Sequence, residues 1–280
     1  LSRRQWVAGT LLWTVMAVGC GMLDANVAAE RLAQTAGLKG ELIATNSFVL
    51  TSFSRISDPN AAIDIYIEGD GHAWDSRYTP SVDPTPRHAL ALQLATRDPA
   101  ANVVYLARPC QFTARDPRCE TAYWTDKRYA PEVIDALDDA IGQVAARAPG
   151  QPLNLIGYSG GGALAVLVAA RRRDVASLRT VAANLDLDEF TRLHHVSPLT
   201  GSRNPIDAAS RISRIPQIHF SGADDRIVPP SVARHFATAV RSSCIRTEIL
   251  PGLGHEGDWA RIWPQLLRES VDCDVFSENP

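Results

Sequence analysis

Two rhythms of apolar and polar positions alternate along this chain. Residues 61–67, AAIDIYI, alternate and are rich in β-branched side chains, which predicts a strand. Residues 102–106, NVVYL, and 153–156, LNLI, are short continuous apolar runs of the kind that form strands buried on both faces. Further strands are predicted at 179–185, 217–220 and 246–250, with a first strand or two inside the β-rich stretch 41–53. Between them lie segments of helical length at 87–96, 131–147, 163–170, 231–240 and 258–267. In the second of these Val133, Ile134, Leu137, Ile141 and Val144 share one side, and Pro131 stands in the first turn, where its missing N–H costs nothing. Strands alternating with helices predict an α/β fold, a mostly parallel central sheet with helices on both faces. Residues 188–215 break the rhythm and are read as a small cap insert.

Length and charge narrow the picture. At 280 residues the chain accommodates one large domain, assigned to 40–280, with 20–39 as a tether and short helix. The net charge of −3 and the lack of any basic block beyond Arg171-Arg172-Arg173, which close a predicted helix, speak against a nucleic-acid partner.

The first 19 residues read as a targeting segment. Arg3 and Arg4 precede an apolar stretch at 7–18 that is short for a membrane span. Ala17-Val18-Gly19-Cys20 resembles a bacterial lipobox, with Ala17 where leucine is usual; the resemblance implies that Cys20 is lipidated. The expectation is an exported protein, held at the membrane by a lipid anchor and facing the periplasm. The other cysteines are Cys110, Cys119, Cys244 and Cys273, an even number. In an exported chain they predict two disulfides, and proximity favours Cys110–Cys119 and Cys244–Cys273.

The predicted strand at 153–156 runs into Gly157-Tyr158-Ser159-Gly160-Gly161 and then a helix. Strand, G-x-S-x-G and helix together form a nucleophile elbow, a sharp turn that lifts a serine hydroxyl clear of the sheet. A serine needs a base and an acid that orients the base. The strand at 217–220 is followed by Gly222-Ala223-Asp224-Asp225-Arg226-Ile227-Val228-Pro229-Pro230, and the last strand by Gly252-Leu253-Gly254-His255-Glu256-Gly257. Loops at the C-terminal edge of a parallel sheet are where such side chains gather. The candidates are Ser159 as nucleophile, His255 as base and Asp225 as acid, with Asp224 and Asp186 as rival acids. His72, His88, His194, His195, His219 and His235 are read as loop, helix or packing residues.

From about residue 40 to residue 270 the chain resembles the α/β-hydrolases, on GYSGG at 157–161, GADDRIVPP at 222–230 and GLGHEG at 252–257. More narrowly it is similar to proteobacterial lipoprotein-type serine hydrolases, on IEGDG, RPCQ, GYSGGGALA and NLD. The resemblance implies a serine hydrolase with the chain order Ser159, Asp225, His255, working without metal or organic cofactor. It also implies an oxyanion hole formed by the N–H of Gly160 and, by position, that of Asp70 in the Glu68-Gly69-Asp70-Gly71 loop. His72, Trp74 and Tyr158 stand where they could line the pocket. The expected substrate is a small carboxylic ester. A short peptide is the alternative within the same chemistry, and a non-catalytic envelope binding protein the alternative outside it.

Overall fold

In this computed structural model, residues 16–113 and 116–273 are described, with side chains from residue 25 onward. The chain opens with α1 (Met16–Thr35), then β1 (Lys39–Ala44), β2 (Val49–Ile56) and β3 (Ile63–Ile67). A small hairpin follows, β4 (Trp74–Ser76) with β5 (Thr79–Pro80), then α2 (Leu90–Ala95), β6 (Asn102–Leu106) and α3 (Pro131–Ala145). Next come β7 (Leu153–Tyr158), α4 (Gly160–Ala169), β8 (Val175–Val181) and α5 (Leu187–His194). The chain ends with β9 (Gln217–Gly222), α6 (Pro230–Val240), β10 (Ile245–Leu250) and α7 (Trp259–Leu266).

Eight strands form one sheet in the order β1-β2-β6-β3-β7-β8-β9-β10. β1 and β2 pair antiparallel, as do β2 and β6; every pair from β6 across to β10 is parallel. Alternate side chains enter two separate cores. Ile63, Ile65 and Ile67 of β3 join the layer under α3, α4 and α6, and Tyr66 joins the layer under α1, α2 and α7. Every residue of α4 is buried, so this helix is apolar all round rather than amphipathic. A parallel arrangement brings the loops after β3, β6, β7, β9 and β10 to one edge, and that edge holds the site.

Three elements differ from the sequence expectation. The stretch expected as a tether and short helix is one helix, α1, continuous through Gly19 and Gly21. Ala29 and Ala33 press it onto the core, and Gly37, at φ +71°, ends it, with the Leu38 N–H on the Ala33 carbonyl. β8 lies at Val175–Val181, not at 179–185. Ala182 makes the last bond of the ladder, its N–H on the Phe220 carbonyl, and at φ 50° turns the chain away while Ala183 and Leu185 stay buried, so the apolar character of those two reflects burial without strand pairing. The expected cap at 188–215 divides in two. α5 lies by the site, whereas the 3₁₀ helix Pro205–Ile212 packs on α4 and α6 and buries Pro205, Ala208, Ala209 and Ile212.

Cys110 is bonded to Cys119 and Cys244 to Cys273. Loops of this length stabilise by about 3 and about 4 kcal/mol in the chain-entropy account. The expected basic segment and most of the apolar stretch before Cys20 lie outside the described residues. The backbone of Cys20 lies within α1, but its side chain is also outside them. Among the described residues no helix is long and apolar enough to cross a membrane.

Candidate active site

Ser159 sits between β7 and α4 at φ 51° and ψ −121°, a conformation that costs a non-glycine residue energy and persists only where its surroundings enforce it. The surroundings are the crossing of strand and helix. A Cβ on Gly157 would lie 2.4 Å from the Gly161 carbonyl oxygen, and one on Gly161 would lie 2.2 Å from that of Ile67. The glycines two before and two after the serine are therefore what lets the turn close.

The three side chains proposed from sequence meet here. His255 Nε2 lies 3.0 Å from Ser159 Oγ, and His255 Nδ1 lies 2.9 Å from Asp225 Oδ2. With its proton on Nδ1 the ring donates to Asp225 and accepts from the serine hydroxyl. Asp225 is buried, and its other oxygen accepts the N–H groups of Ile227 and Val228, each at 2.8 Å. The His255 loop is pinned from below, because its carbonyl accepts from Tyr158 Oη at 3.3 Å and from Trp259 Nε1 at 3.1 Å. The rival acids lie elsewhere. Asp224 is exposed, and Asp186 caps α5 while contacting His235 Nδ1 at 2.6 Å.

The loop after β3 is held by residues that the sequence reading did not single out. The Asp70 carboxylate accepts from Arg108 on one oxygen, from Arg128 Nη1 at 2.6 Å on the other, and from Tyr129 Oη at 3.3 Å. Burial alone would raise its pKa, but the Arg128 and Arg108 charges outweigh burial and hold it at about 2. The acid at the expected second donor position is thus neutralised by its partners. It also explains a glycine, since a Cβ on Gly160 would fall 2.0 Å from Asp70 Oδ1. Gln111 ties the loop to β6, donating to the Gly69 carbonyl at 2.8 Å and accepting the Arg108 N–H at 3.1 Å. The signal for Arg108 and Gln111 was present as RPCQ after an apolar strand. For Arg128 and Tyr129, inside a long irregular loop, no spacing pointed to the site.

The edge opens as a cleft of about 830 Å³ that contains Ser159 and His255. Its apolar lining includes Trp74, Tyr158, Phe190 and Ile227; its polar lining includes Glu68, Arg87 and Arg128. Burial pushes the Glu68 carboxyl up to about 7, against the backbone N–H groups of Gly69 and Ala91 that its Oε1 accepts. His72 lines the cleft too, 2.9 Å from Arg87 Nη2. His194 instead contacts the Ile227 carbonyl at 2.7 Å, and His219 is buried between Thr180 and Gln217, where burial lowers its pKa to about 3. Among the described residues no group of three or more His, Cys, Asp or Glu is placed to hold a metal ion.

No protein-family model and no curated protein sequence matches the chain. Solved structures do. Est1E from Butyrivibrio proteoclasticus superposes with a TM-score of 0.59 at 13% identity, covering 85% of this chain and 98% of that one. An α/β serine hydrolase without lid from Xanthomonas campestris gives 0.53 at 14% identity, covering 82% and 94%. A puromycin-hydrolyzing peptidase from Mycobacterium tuberculosis gives 0.58 at 13% identity, over 82% of this chain but 37% of the larger protein. The chain has the α/β-hydrolase fold.

Proposed function

We propose that this protein is a serine hydrolase that cleaves a carboxylic ester through an acyl-enzyme. The observation that carries the reading is the unbroken contact from Ser159 through His255 to Asp225, at 3.0 and 2.9 Å, with the serine on a strained turn that faces an open cleft. In this mechanism Ser159 Oγ attacks the carbonyl while His255 Nε2 takes its proton. The tetrahedral oxyanion receives the N–H groups of Gly160 and Asp70, and Asp225 stabilises the imidazolium. His255 then returns the proton to the departing alcohol, and water repeats the sequence on the acyl-enzyme.

The neighbours' names include both a hydrolase without lid and a peptidase, and the same intermediate serves esters and amides. An alcohol leaves more readily than an amine, which favours the ester as the reading to test first. Fluorophosphonate labelling tests the reading directly. The wild-type protein is expected to label, and Ser159→Ala and His255→Ala to lose labelling. A folded wild-type protein that does not label would indicate a binding role for the fold. Rates on 4-nitrophenyl acyl esters and on peptide 4-nitroanilides then separate esterase from peptidase.

We further propose that the protein is exported and anchored through Cys20. The two disulfides support an oxidising compartment, and Arg3, Arg4 and the apolar stretch before Cys20 support export. Cys20→Ala should move the protein from the membrane fraction to the soluble fraction; continued retention would point to an uncleaved N-terminal anchor.

A further inference from the structure

Two arginines meet one carboxylate beside the candidate serine. Arg108, Arg128 and Asp70 together carry one net positive charge, and the two guanidinium groups differ in where they face. Arg108 donates to Asp70 and, through Nη2, to the Arg128 carbonyl at 2.7 Å, and it lies 5.3 Å over the Tyr129 ring. Arg128 donates through Nε to the Thr125 carbonyl at 2.7 Å and through Nη1 to Asp70 at 2.6 Å. The Arg128 guanidinium also lies against the Tyr129 hydroxyl, and unlike Arg108 it lines the cleft that contains Ser159 and His255. The Arg128 side chain is only 10% exposed. One unmatched positive charge so nearly buried is costly, and an anionic group entering the cleft would balance it.

We propose that Arg128 binds a carboxylate carried by the substrate, so that the preferred ester is an anionic one. This rests on the serine-hydrolase reading of the same cleft. A carboxylate fits better than a phosphate because the cluster carries only one net positive charge. Phosphate sites gather several donors or a bidentate fork. The neighbouring groups do not oppose this assignment. Asp70 is already matched by two arginines, and burial disfavours the charged form of Glu68, raising its pKa to about 7. Glu256 and Asp258 are exposed on the His255 loop, where water screens them, and Arg87, His72 and His88 add positive or neutral groups to the lining.

The test uses esters matched in shape. Monomethyl glutarate is compared with methyl hexanoate, which has an ethyl group in place of the carboxylate on the acyl side. Acetoxyacetate is compared with propyl acetate for the alcohol side. Wild-type kcat/KM should favour the anionic member of one pair by about tenfold or more, the worth of one charge-assisted hydrogen bond. The pair that shows the preference tells which side of the ester Arg128 reads. Arg128→Gln should bring that ratio to about one, whatever loss it inflicts on both substrates, and Arg128→Lys should keep part of it. A merely structural arginine would lower both rates alike and leave the ratio standing. Equal rates in both wild-type pairs, or a ratio unmoved by Arg128→Gln, would overturn the proposal. Binding of the same esters to the Ser159→Ala protein, followed by calorimetry, needs no turnover. An anionic preference there that Arg128→Gln abolishes would keep the carboxylate site even if fluorophosphonate labelling failed. No such preference would end the proposal, even with labelling intact.

Discussion

Asp225→Asn should lower kcat by about 10⁴-fold and leave the melting temperature within about 2 °C of wild type. The two carboxylate oxygens have separate tasks, and asparagine can perform one of them. Its carbonyl oxygen can still accept the N–H groups of Ile227 and Val228, which shape the loop. Its amide nitrogen then faces His255 Nδ1, where Asp225 Oδ2 now accepts. Donor would meet donor, so the imidazole would move its proton to Nε2, the atom 3.0 Å from Ser159 Oγ. A protonated Nε2 cannot take the serine proton, and the base is lost with the fold intact. Asp225→Ala is the control, since it also removes the loop's acceptor and should cost about 1–3 kcal/mol of stability beyond the catalytic loss. A drop of only a few-fold in Asp225→Asn would mean that another acid serves His255. Asp186 is poorly placed for that, because it already holds His235 and the first turn of α5.

The parts of this site legible in the sequence were those fixed by backbone requirements. GYSGG predicts its own geometry, because a strained turn flanked by a strand–helix crossing admits only glycine at Gly157 and Gly161. Apolar runs ending at Ile156 and Phe220 placed Ser159 and Asp225 at one edge, since parallel strands must all point the same way. What was hidden depends on side chains that meet across long separations. Arg128 reaches Asp70 from 58 positions away in sequence, through a loop with no periodicity. A lone carboxylate disfavours a developing oxyanion beside it; with its arginines in place, Asp70 is instead the centre of a cationic cluster. β8 was misplaced for a related reason, because buried apolar residues past Val181 look like a strand whether or not they pair.

That cluster leads to the second large effect. Asp70→Asn should destabilise the protein by about 3–5 kcal/mol at pH 7, because it leaves two almost fully buried guanidinium groups sharing one neutral amide. For a chain of this size the melting temperature should fall by roughly 10 °C. The loop that presents the N–H of residue 70 would lose its tether next to Gly160, so activity should fall as well, by about 10²-fold on the scale of a lost oxyanion donor. The pH dependence separates the charge from the shape. Asp70 is held at about 2 in the folded protein, below its ordinary value, so its stabilising contribution is complete above about pH 4 and disappears as pH falls through 2. The difference in stability between wild type and Asp70→Asn should therefore be full at pH 7 and narrow steadily below pH 4. A difference that is the same at pH 7 and pH 2.5 would show that the variant suffers from altered packing and not from unpaired charge. Removing one of the stranded cations provides an independent check. Asp70→Asn combined with Arg128→Met should be less destabilised than the sum of the single changes, since the double variant contains one buried unpaired cation where Asp70→Asn alone contains two. Strict additivity would mean that Asp70 and Arg128 do not sense each other, and the cationic cluster would then be an accident of proximity.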